Sequence, residues 1–587
     1  MNDKNLSNKN TIIDKSGFRI LISLFICVTL YISFVSFFHL VFFINDDENI
    51  MYTLSGYYTY GIPDDHPFIN VILSAILRRL YGIFPSIQWY SLFHIFIIAG
   101  SIVLFNDLLL KYLNRKCHLI FILLVIILLD IAIFSYVMIL MQFTTTSALA
   151  GCTAILLLYD YIMEIKKGNR RIIHIPFIIT YSTLCYWHRK NTFYVIACFL
   201  LLLFIYCILI NFAKVKENKS LIIHWLIMLF LIPGAIILSI IANMTKRNSN
   251  EWKYYNTYDS ARYHMTDYPH DSFIDNPDLY EQIGWSNELY TLTATNYWFF
   301  MDEKINENTF DVINSTYTRE LEPKKIFTTW ISFLKKESIA LFESCILFLL
   351  IIINIIQSII KHDKLRLLLC ICLTLGTILL ISYLCLIQRI PLRAYQTIMF
   401  PSIIISILDL THNITEEFCA KKYIFFSIFS IFLILISIKT LIKAQKDASY
   451  RYSISRNTLS IEEYAINHPE NIYIYDTSLT FRYEPFTIYK DFYPSNLFFW
   501  GGMGWNSPAF KYQLELNGLS DLYSDVFFSD NVYYITRPDY YVNSSDTSLS
   551  DIFFSYMEKT YGNYEIKTMD SINNDDILVY KLSLEEY

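Results

Sequence analysis

The sequence predicts an α-helical polytopic membrane protein with about eleven transmembrane helices and a C-terminal α/β domain. Of its 587 residues, 54% are hydrophobic and only 17% are charged. Many apolar runs are long enough to cross the ~30 Å hydrocarbon layer of a bilayer. The last part of the chain instead alternates short strand-like runs with helix-like runs. The net charge of -6 is too small to indicate a nucleic-acid partner.

The N-terminus predicts a retained first transmembrane helix. Residues 1–19 are polar and basic, and the apolar run 20–43 that follows is too long for the core of a signal peptide. No cleavage site made of small residues follows this run. Residues 1–19 are therefore predicted to form a cytoplasmic N-terminus.

Apolar runs of roughly 17 to 25 residues predict the transmembrane helices. The predicted spans are residues 20–43, 89–109, 118–137, 145–162, 172–187, 192–212, 221–241, 339–360, 367–386, 395–411 and 423–438. Residues 20–440 therefore form the predicted transmembrane domain.

The distribution of basic residues predicts the orientation. Most short-loop lysines and arginines fall on the side of the N-terminus, as at Lys111, Lys166 and Lys361, and this bias marks the cytoplasmic side. The outer face then carries loops 44–88 and 242–338 and an extracytoplasmic α/β domain, residues 441–587. A composition rich in Ile, Tyr, Phe and Asn is typical of AT-rich bacterial genes. We therefore expect a multi-pass protein in the lipid bilayer of a bacterial cell membrane.

Four short runs in the tail predict strands: "NIYIYDTSL", "NLFFWGG", "DNVYYITRP" and "DILVYKLSL". The segment "SLSDIFFSYMEKTYG" predicts a helix between them. The eleven cysteines lie in or beside apolar runs, so no disulfide framework is expected, and none has zinc-ligand spacing to His.

The first outer loop contains the candidate reactive residues. In "FFINDDENIMYTLSGYYTYGIPDDHPFIN", Asp46 and Asp47 follow the first span by a few residues. An ionised Asp there can take a proton from a hydroxyl group, or share a divalent cation with its neighbour. The alternative is a helix end with solvated acids. Asp65 and His66 follow in a turn-rich stretch, and residues 68–85, with two arginines in the middle, predict a helix lying on the membrane surface.

The order of features in residues 45–90 resembles the first outer loop of GT-C superfamily membrane glycosyltransferases. The similarity is strongest to the bacterial branch that modifies surface polysaccharides, including O-antigen glucosyltransferases. The resemblance implies a sugar donor linked to polyprenyl phosphate and a surface glycan as acceptor. It also implies that Asp46 or Asp47 is the general base, and that cations near the membrane surface hold the charge of the leaving lipid phosphate.

Cations on the predicted outer side are candidates for that phosphate site. Arg189 lies in "YWHRKN", and Arg389 and Arg393 lie in "LIQRIPLRAYQ". A guanidinium fork matches a phosphate well. The alternative is contact with ordinary lipid headgroups.

Two further features have competing interpretations. The loop 242–338 is dense in Tyr and Trp around Asp259, Arg262 and Asp267, which predicts either a carbohydrate-binding surface or a packed core. We expect Asp65, His66 and Arg262 to bind substrate. Asp130, inside the third span, predicts either a functional site or a packing partner for Ser or Tyr.

The sequence leaves other functions open. A polymerase of lipid-linked glycans would use similar chemistry on the same face, and a sensor would need only the tail. A translocator should carry several polar groups in the middle of its membrane helices, which are nearly absent here. The sequence does not decide whether Mg²⁺ or Mn²⁺ takes part.

Overall fold

The computed structural model describes residues 16–59, 64–114, 116–167, 172–211, 219–299, 301–317, 323–414, 423–479, 482–487, 493–501, 507–542, 547–573 and 575–585. Its first helices are α1 (Ser16–Phe37), α2 (Asn45–Ser55), α3 (Val71–Ile83), α4 (Trp89–Leu113), α5 (Leu119–Ile139), α6 (Phe143–Lys166), α7 (His174–His188), α8 (Lys190–Ile210) and α9 (Lys219–Lys246). They are followed by α10 (Asn250–Asp267), α11 (Pro277–Gln282), α12 (Asn287–Tyr290), α13 (Glu307–Thr316), α14 (Pro323–Lys336), α15 (Ser338–Ile360), α16 (Lys364–Leu386), α17 (Leu392–Asn413), α18 (Tyr423–Asn467), α19 (Pro508–Leu516) and α20 (Leu549–Tyr561).

Ten helices within the described residues are long and apolar enough to span a membrane, so the protein is an α-helical multi-pass membrane protein. They are α1, α4, α5, α6, α8, α9, α15, α16, α17 and α18. The predicted count of eleven differs at the fifth span, residues 172–187. There α7 has only 15 residues, or about 22 Å, which is shorter than the hydrocarbon layer.

Although α7 is short, its contacts reach both ends of the helix bundle. Its first residue, His174, lies 3.1 Å from Asp160 near the end of α6. Its last residue, His188, packs its ring 5.0 Å from that of His94 near the start of α4. Helix α7 therefore connects the same two ends of the bundle as the longer helices do.

The two ends of the bundle differ in chemistry. At the end where α4, α6 and α17 finish, which we call the basic end, lysines bind helix termini and acids. Lys111 lies 3.0 Å from Glu164, and Lys116 donates to the carbonyl groups of Thr411 and His412 at 3.1 and 2.9 Å. At the opposite end, which we call the site end, the polar segments between the helices and the C-terminal tail pack together.

Helix α6 forms the centre of the bundle. Its membrane window is fully buried, and that of α17 is 89% buried, whereas only 22% of the window of α9 is buried. Because Phe230 and Leu238 of α9 are exposed, this helix presents an apolar face of the kind that contacts lipid. Gly151 lets α6 approach α8 closely, since a Cβ atom there would lie 2.6 Å from the side chain of Ile196.

We expect Gly151→Val to destabilise the bundle, because the added side chain must displace Ile196 from a packed interface. Gly376 of α16 has no atom within 4 Å of its virtual Cβ, so Gly376→Val serves as a matched control. The loss should be roughly 1–3 kcal/mol at Gly151, measured by unfolding in detergent. Equal effects at both positions would contradict this account of the packing.

Helices α2 and α3 lie at the site end and do not span the bundle. Helix α3 has 13 residues, and it buries Val71, Ser74 and Leu77 on one face. Its N-cap Asn70 accepts a hydrogen bond of 3.0 Å from the Ile72 amide. The predicted surface helix at residues 68–85 is therefore present and too short to be a further span.

The tail contains a five-stranded sheet, as the four predicted strands and the predicted helix indicated. Its strands are β3 (Ile472–Asp476), β4 (Leu497–Trp500), β5 (Val532–Thr536), β6 (Tyr564–Ile572) and β7 (Ile577–Leu584), after a short parallel pair of β1 (Val41–Phe42) and β2 (Leu140–Met141) at the site end. The order is β4-β3-β5-β7-β6, with β3 parallel to β4 and β5, and β7 antiparallel to both β5 and β6. Strand β6 was not predicted because most of its residues are exposed and it lacks an apolar alternation.

The predicted boundary at residues 440/441 falls inside one continuous helix. The 45 residues of α18 extend about 68 Å, roughly twice the thickness of the hydrocarbon layer. Its second half thus reaches the sheet of the tail. Lys443, expected just beyond the last span, lies within this helix and pairs with Asp447 at 2.9 Å.

The tail and residues 242–338 share one hydrophobic core. The rings of Trp298 and Trp500 lie 4.9 Å apart, and the Trp298 indole donates to Thr477 at 3.2 Å. The hydroxyl of Tyr556 in α20 donates to Asp302 at 2.7 Å. The two segments, which the sequence presents as separate polar regions, therefore form a single extramembrane unit.

Candidate functional site

A cavity of about 280 Å³ lies at the site end, between the helix bundle and the extramembrane unit. Asp46, Asp65, His66 and Arg393, four of the eight predicted site residues, line it together with Asp267 of α10. Residues from distant parts of the chain thus meet in one space.

Three consecutive acids in the first turn of α2 point in different directions. Successive residues of an α-helix are rotated by about 100°, so neighbours cannot face the same surface. Asp46 lines the cavity, Asp47 faces α4 and α6, and Glu48 faces α18 and the tail. Only Asp46 of the predicted pair is therefore placed to meet a ligand in this cavity.

Asp46 lies in a mixed electrostatic environment. Burial raises the pKa of its carboxyl above the ordinary value, and the positive charges of Arg393 and Arg189 partly oppose that shift. Asp267 raises the pKa further. A carboxylate with a raised pKa is a stronger base than a solvated one, while the two arginines keep an anionic form accessible.

Asp47 is buried and already bonded within the protein. Its Oδ1 accepts the Tyr90 hydroxyl at 3.0 Å and the Phe143 amide at 2.8 Å. Burial raises the pKa of Asp47 well above the ordinary value, although the bond from Tyr90 opposes this. These contacts fix α2 against the starts of α4 and α6, and Asp47 does not line the cavity.

The four predicted arginines fall into two groups. Arg393 lines the cavity, and Arg189 stacks over the rings of Phe143 and Phe68, at 4.8 and 5.5 Å from their centroids. Both act on the pKa of Asp46. The positive charges of these two guanidinium groups therefore favour the ionised form of Asp46.

Arg389 and Arg262 are engaged by acids of α10. Arg389 lies 2.6 Å from Asp267 and donates to the Tyr263 hydroxyl at 3.0 Å, at the edge of the cavity. Arg262 is buried in an ion pair with Asp259. It does not line the cavity, although it contributes to the pKa of Asp46.

Asp65 and His66 form a polar wall. Asp65 accepts from the Ser74 hydroxyl at 2.6 Å and lies 3.0 Å from Arg78, one of the two arginines in the middle of the predicted surface helix. Burial and the positive charges of Arg247 and Arg189 lower the pKa of His66 to about 3. His66 is therefore neutral at physiological pH and can contact a ligand without adding charge.

The aromatic residues divide between two uses. Tyr58, Tyr255, Tyr297 and Phe499 line the cavity, where ring faces can pack on sugar rings. Trp285 and Trp298 of the 242–338 segment instead lie in the shared core, where both are almost completely buried. The packed core is therefore confirmed for these two residues, and carbohydrate binding by the cavity aromatics stays a prediction.

Sequence reasoning missed the tail's contribution to the cavity. Phe499, Gly501, Ser507 and Phe510 line it, and a Cβ atom at Gly501 would clash with Thr477. No local signal in the sequence marks these residues, because they reach the cavity from the end of β4 and the start of α19 and not through a motif. The sequence also gave no indication of a role for Glu48.

Asp130, the ionisable group inside the third predicted span, has an amide as its partner. The Asn106 side chain donates to Asp130 at 2.7 Å between α4 and α5. This contact is a helix-packing interaction, with Asn in place of the expected Ser or Tyr.

No family model matches the chain, and no curated protein matches it. Among the residues that the structure describes, no group of three or more His, Cys, Asp or Glu side chains is arranged to hold a metal ion.

We expect Asp46→Asn to raise the unfolding temperature in detergent at pH 7 by roughly 1–4 °C. The folded protein binds the Asp46 proton more tightly than the unfolded chain does, so ionisation of Asp46 costs folding free energy. This cost is absent below the unfolded pKa of about 3.9 and grows as the pH rises towards the folded pKa. The difference between variant and wild type should therefore widen with rising pH and then level off.

The exposed Asp311 of α13 provides the control for that experiment, because Asp311→Asn should change the unfolding temperature little at any pH. An Asp46→Asn protein that is less stable than the wild type at pH 7 would show that ionised Asp46 stabilises the fold.

Proposed function

We propose that the protein is an integral-membrane glycosyltransferase of GT-C type. In this proposal it transfers a hexose from a polyprenyl-phosphate donor to a cell-surface glycan on the outer face of a bacterial cell membrane. The basic end faces the cytoplasm, as expected from the bias of lysine and arginine to that side, and the cavity opens to the outside.

The arrangement of Asp46 with Arg393 and Arg189 is the observation that supports this function. The three side chains lie at one end of a bundle of apolar helices. A lipid donor with its chain in the bilayer presents its phosphate at that depth. A base and a cation in one cavity, with a second cation near enough to act on the base, match the two charges that change during transfer from such a donor.

In the proposed step an acceptor hydroxyl oxygen bonds to the anomeric carbon of the donor, and its proton passes to the Asp46 carboxylate. The bond between the anomeric carbon and the phosphate oxygen breaks, and the oxygen keeps the electron pair. Arg393 and Arg189 stabilise the additional negative charge on the polyprenyl phosphate. Because the phosphate leaves as a stabilised anion, no general acid is required.

The remaining lining residues suit a carbohydrate. Tyr58, Tyr255 and Phe499 offer ring faces for sugar, and Asn49 and the neutral His66 offer hydrogen bonds without charge. Asp47 serves in this proposal as the buried anchor of α2, which assigns the base to Asp46.

A polymerase of lipid-linked glycans is the alternative, because it would carry out the same displacement with a lipid-linked acceptor. A translocator is less compatible with the contacts. A transport path should carry several polar groups at mid-membrane depth, whereas Asp130 is buried between two packed helices and accepts a hydrogen bond from Asn106. The glycosyltransferase and the polymerase differ in the acceptor that they use.

The test is hexose transfer in membranes that contain the wild type, Asp46→Asn or Asp47→Asn, supplied with radiolabelled polyprenyl-phosphate hexoses and the host's surface polymer. We expect Asp46→Asn to lower transfer by about 10² or more, as for loss of a general base. We expect Asp47→Asn to keep most of the activity, because an amide oxygen still accepts from Tyr90 and Phe143. Assays with chelator, Mg²⁺ or Mn²⁺ determine whether a cation is needed.

Expression level and the activity of Asp311→Asn control for nonspecific effects. Unchanged transfer by Asp46→Asn would remove Asp46 as the base. Transfer that occurs only to a lipid-linked glycan would favour the polymerase, and no transfer by the wild type with any donor would refute the transferase proposal.

A further inference from the structure

A buried network connects the reactive end of α2 to the C-terminal tail. The Tyr52 hydroxyl donates to Glu48 at 2.6 Å, and Arg482 donates to the Tyr52 oxygen at 3.3 Å. Arg482 also lies 3.0 Å from Glu462 of α18. The Tyr57 hydroxyl donates to Glu462 at 3.3 Å, which closes the network on the α2 side.

We propose that Arg482 is a positioning residue for glycosyl transfer, because it holds the first turn of α2, and with it Asp46, in position relative to Arg393 and Arg189. The inference rests on the proposed function of Asp46. It assigns to the C-terminal tail a part in the reaction in addition to its part in the cavity wall.

The contacts that hold the first turn of α2 explain why a positioning residue is needed. The N-cap residue Ile44 provides no side-chain hydrogen bond to the helix, so the first turn lacks local capping. Asp47 fixes one side of that turn to α4 and α6, and Glu48 is linked to the tail through Tyr52, whose oxygen accepts from Arg482. Asp46 directly precedes both residues in sequence and is oriented by them.

The charges of the network explain why an arginine is needed. Glu48 and Glu462 are both almost completely buried and face one guanidinium group. Burial raises the pKa of Glu48 well above its ordinary value, while Tyr52 and Arg482 oppose the shift and Glu462 and Glu484 add to it. Without Arg482, two buried carboxyl groups would lose their only cation in the network, which disfavours the packed arrangement.

The position of Arg482 in the chain links this network to the fold of the tail. It follows β3, whose neighbour β4 carries Phe499 of the cavity wall. The next residue, Tyr483, accepts a bond of 2.8 Å from the Phe42 amide just before α2. A displacement of this segment would therefore move both the cavity wall and the start of α2.

The test compares transfer kinetics of Arg482→Ala, Arg482→Lys and Tyr52→Phe with the wild type. We expect kcat to fall by about 10-fold or more in Arg482→Ala with a small change in KM, because a misplaced base slows chemistry more than binding. Arg482→Lys should recover part of the loss. Tyr52→Phe keeps the ring but breaks the link to Glu48, so it should lower kcat even if Arg482→Ala fails to fold.

A pH profile separates positioning from general stability. Asp46 faces Arg393, Arg189, Asp267 and Arg262, and a shift of α2 changes its distance to them. The acid limb of the kcat profile should therefore move in Tyr52→Phe. The exposed Arg456, on the same helix as Glu462, provides the control, because Arg456→Ala removes an arginine that takes no part in the network.

Two results would overturn the proposal. One is wild-type kcat in both Arg482→Ala and Tyr52→Phe, and the other is a lowered kcat with an unchanged pH profile and no recovery in Arg482→Lys. If the wild type itself shows no transfer, the proposed function fails separately. The network is then tested by unfolding temperatures, where Tyr52→Phe and Asp46→Asn should be non-additive if the two residues are coupled.

Discussion

The site depends on how the short helix α2 is held at the end of the membrane bundle. The buried Asp47 carboxyl accepts the Phe143 amide and the Tyr90 hydroxyl, and so joins α2 to the starts of the two helices beside it. A buried carboxyl group is stable only when such donors surround it. Asp47 is bonded to other parts of the protein in this anchor and does not line the cavity. Its neighbour Asp46 does line the cavity, together with Arg393.

The extramembrane unit supplies the part of the cavity wall that the helix bundle does not. Residues 242–338 and the tail share a core around Trp298 and Trp500, and together they close the cavity above the helix ends. Asp267 from the first segment and Phe499 from the tail line the same cavity. Asp46 is carried by α2 at the end of the bundle, whereas other parts of the cavity wall belong to the tail and the middle segment.

Much of this organisation could be predicted from local sequence. Runs of apolar residues give nearly all the spanning helices, since the bilayer imposes a minimum length and polarity. Strand-like runs give β3, β4, β5 and β7. The 15-residue α7 and the exposed strand β6 depart from these patterns, because neither has the length or alternation on which such prediction relies.

The sequence by itself determined a multi-pass helical architecture and drew attention to Asp46, Asp65, His66 and Arg393, because hydropathy and charge are local properties. Only the tertiary structure decided which acid of the pair faces the cavity, since that depends on the rotation of α2 against its neighbours. It also decided that Arg262 is held by Asp259, and that Arg482 meets Tyr52, the partner of Glu48, across 430 residues of chain. Such contacts arise from packing between distant segments, which no local pattern records.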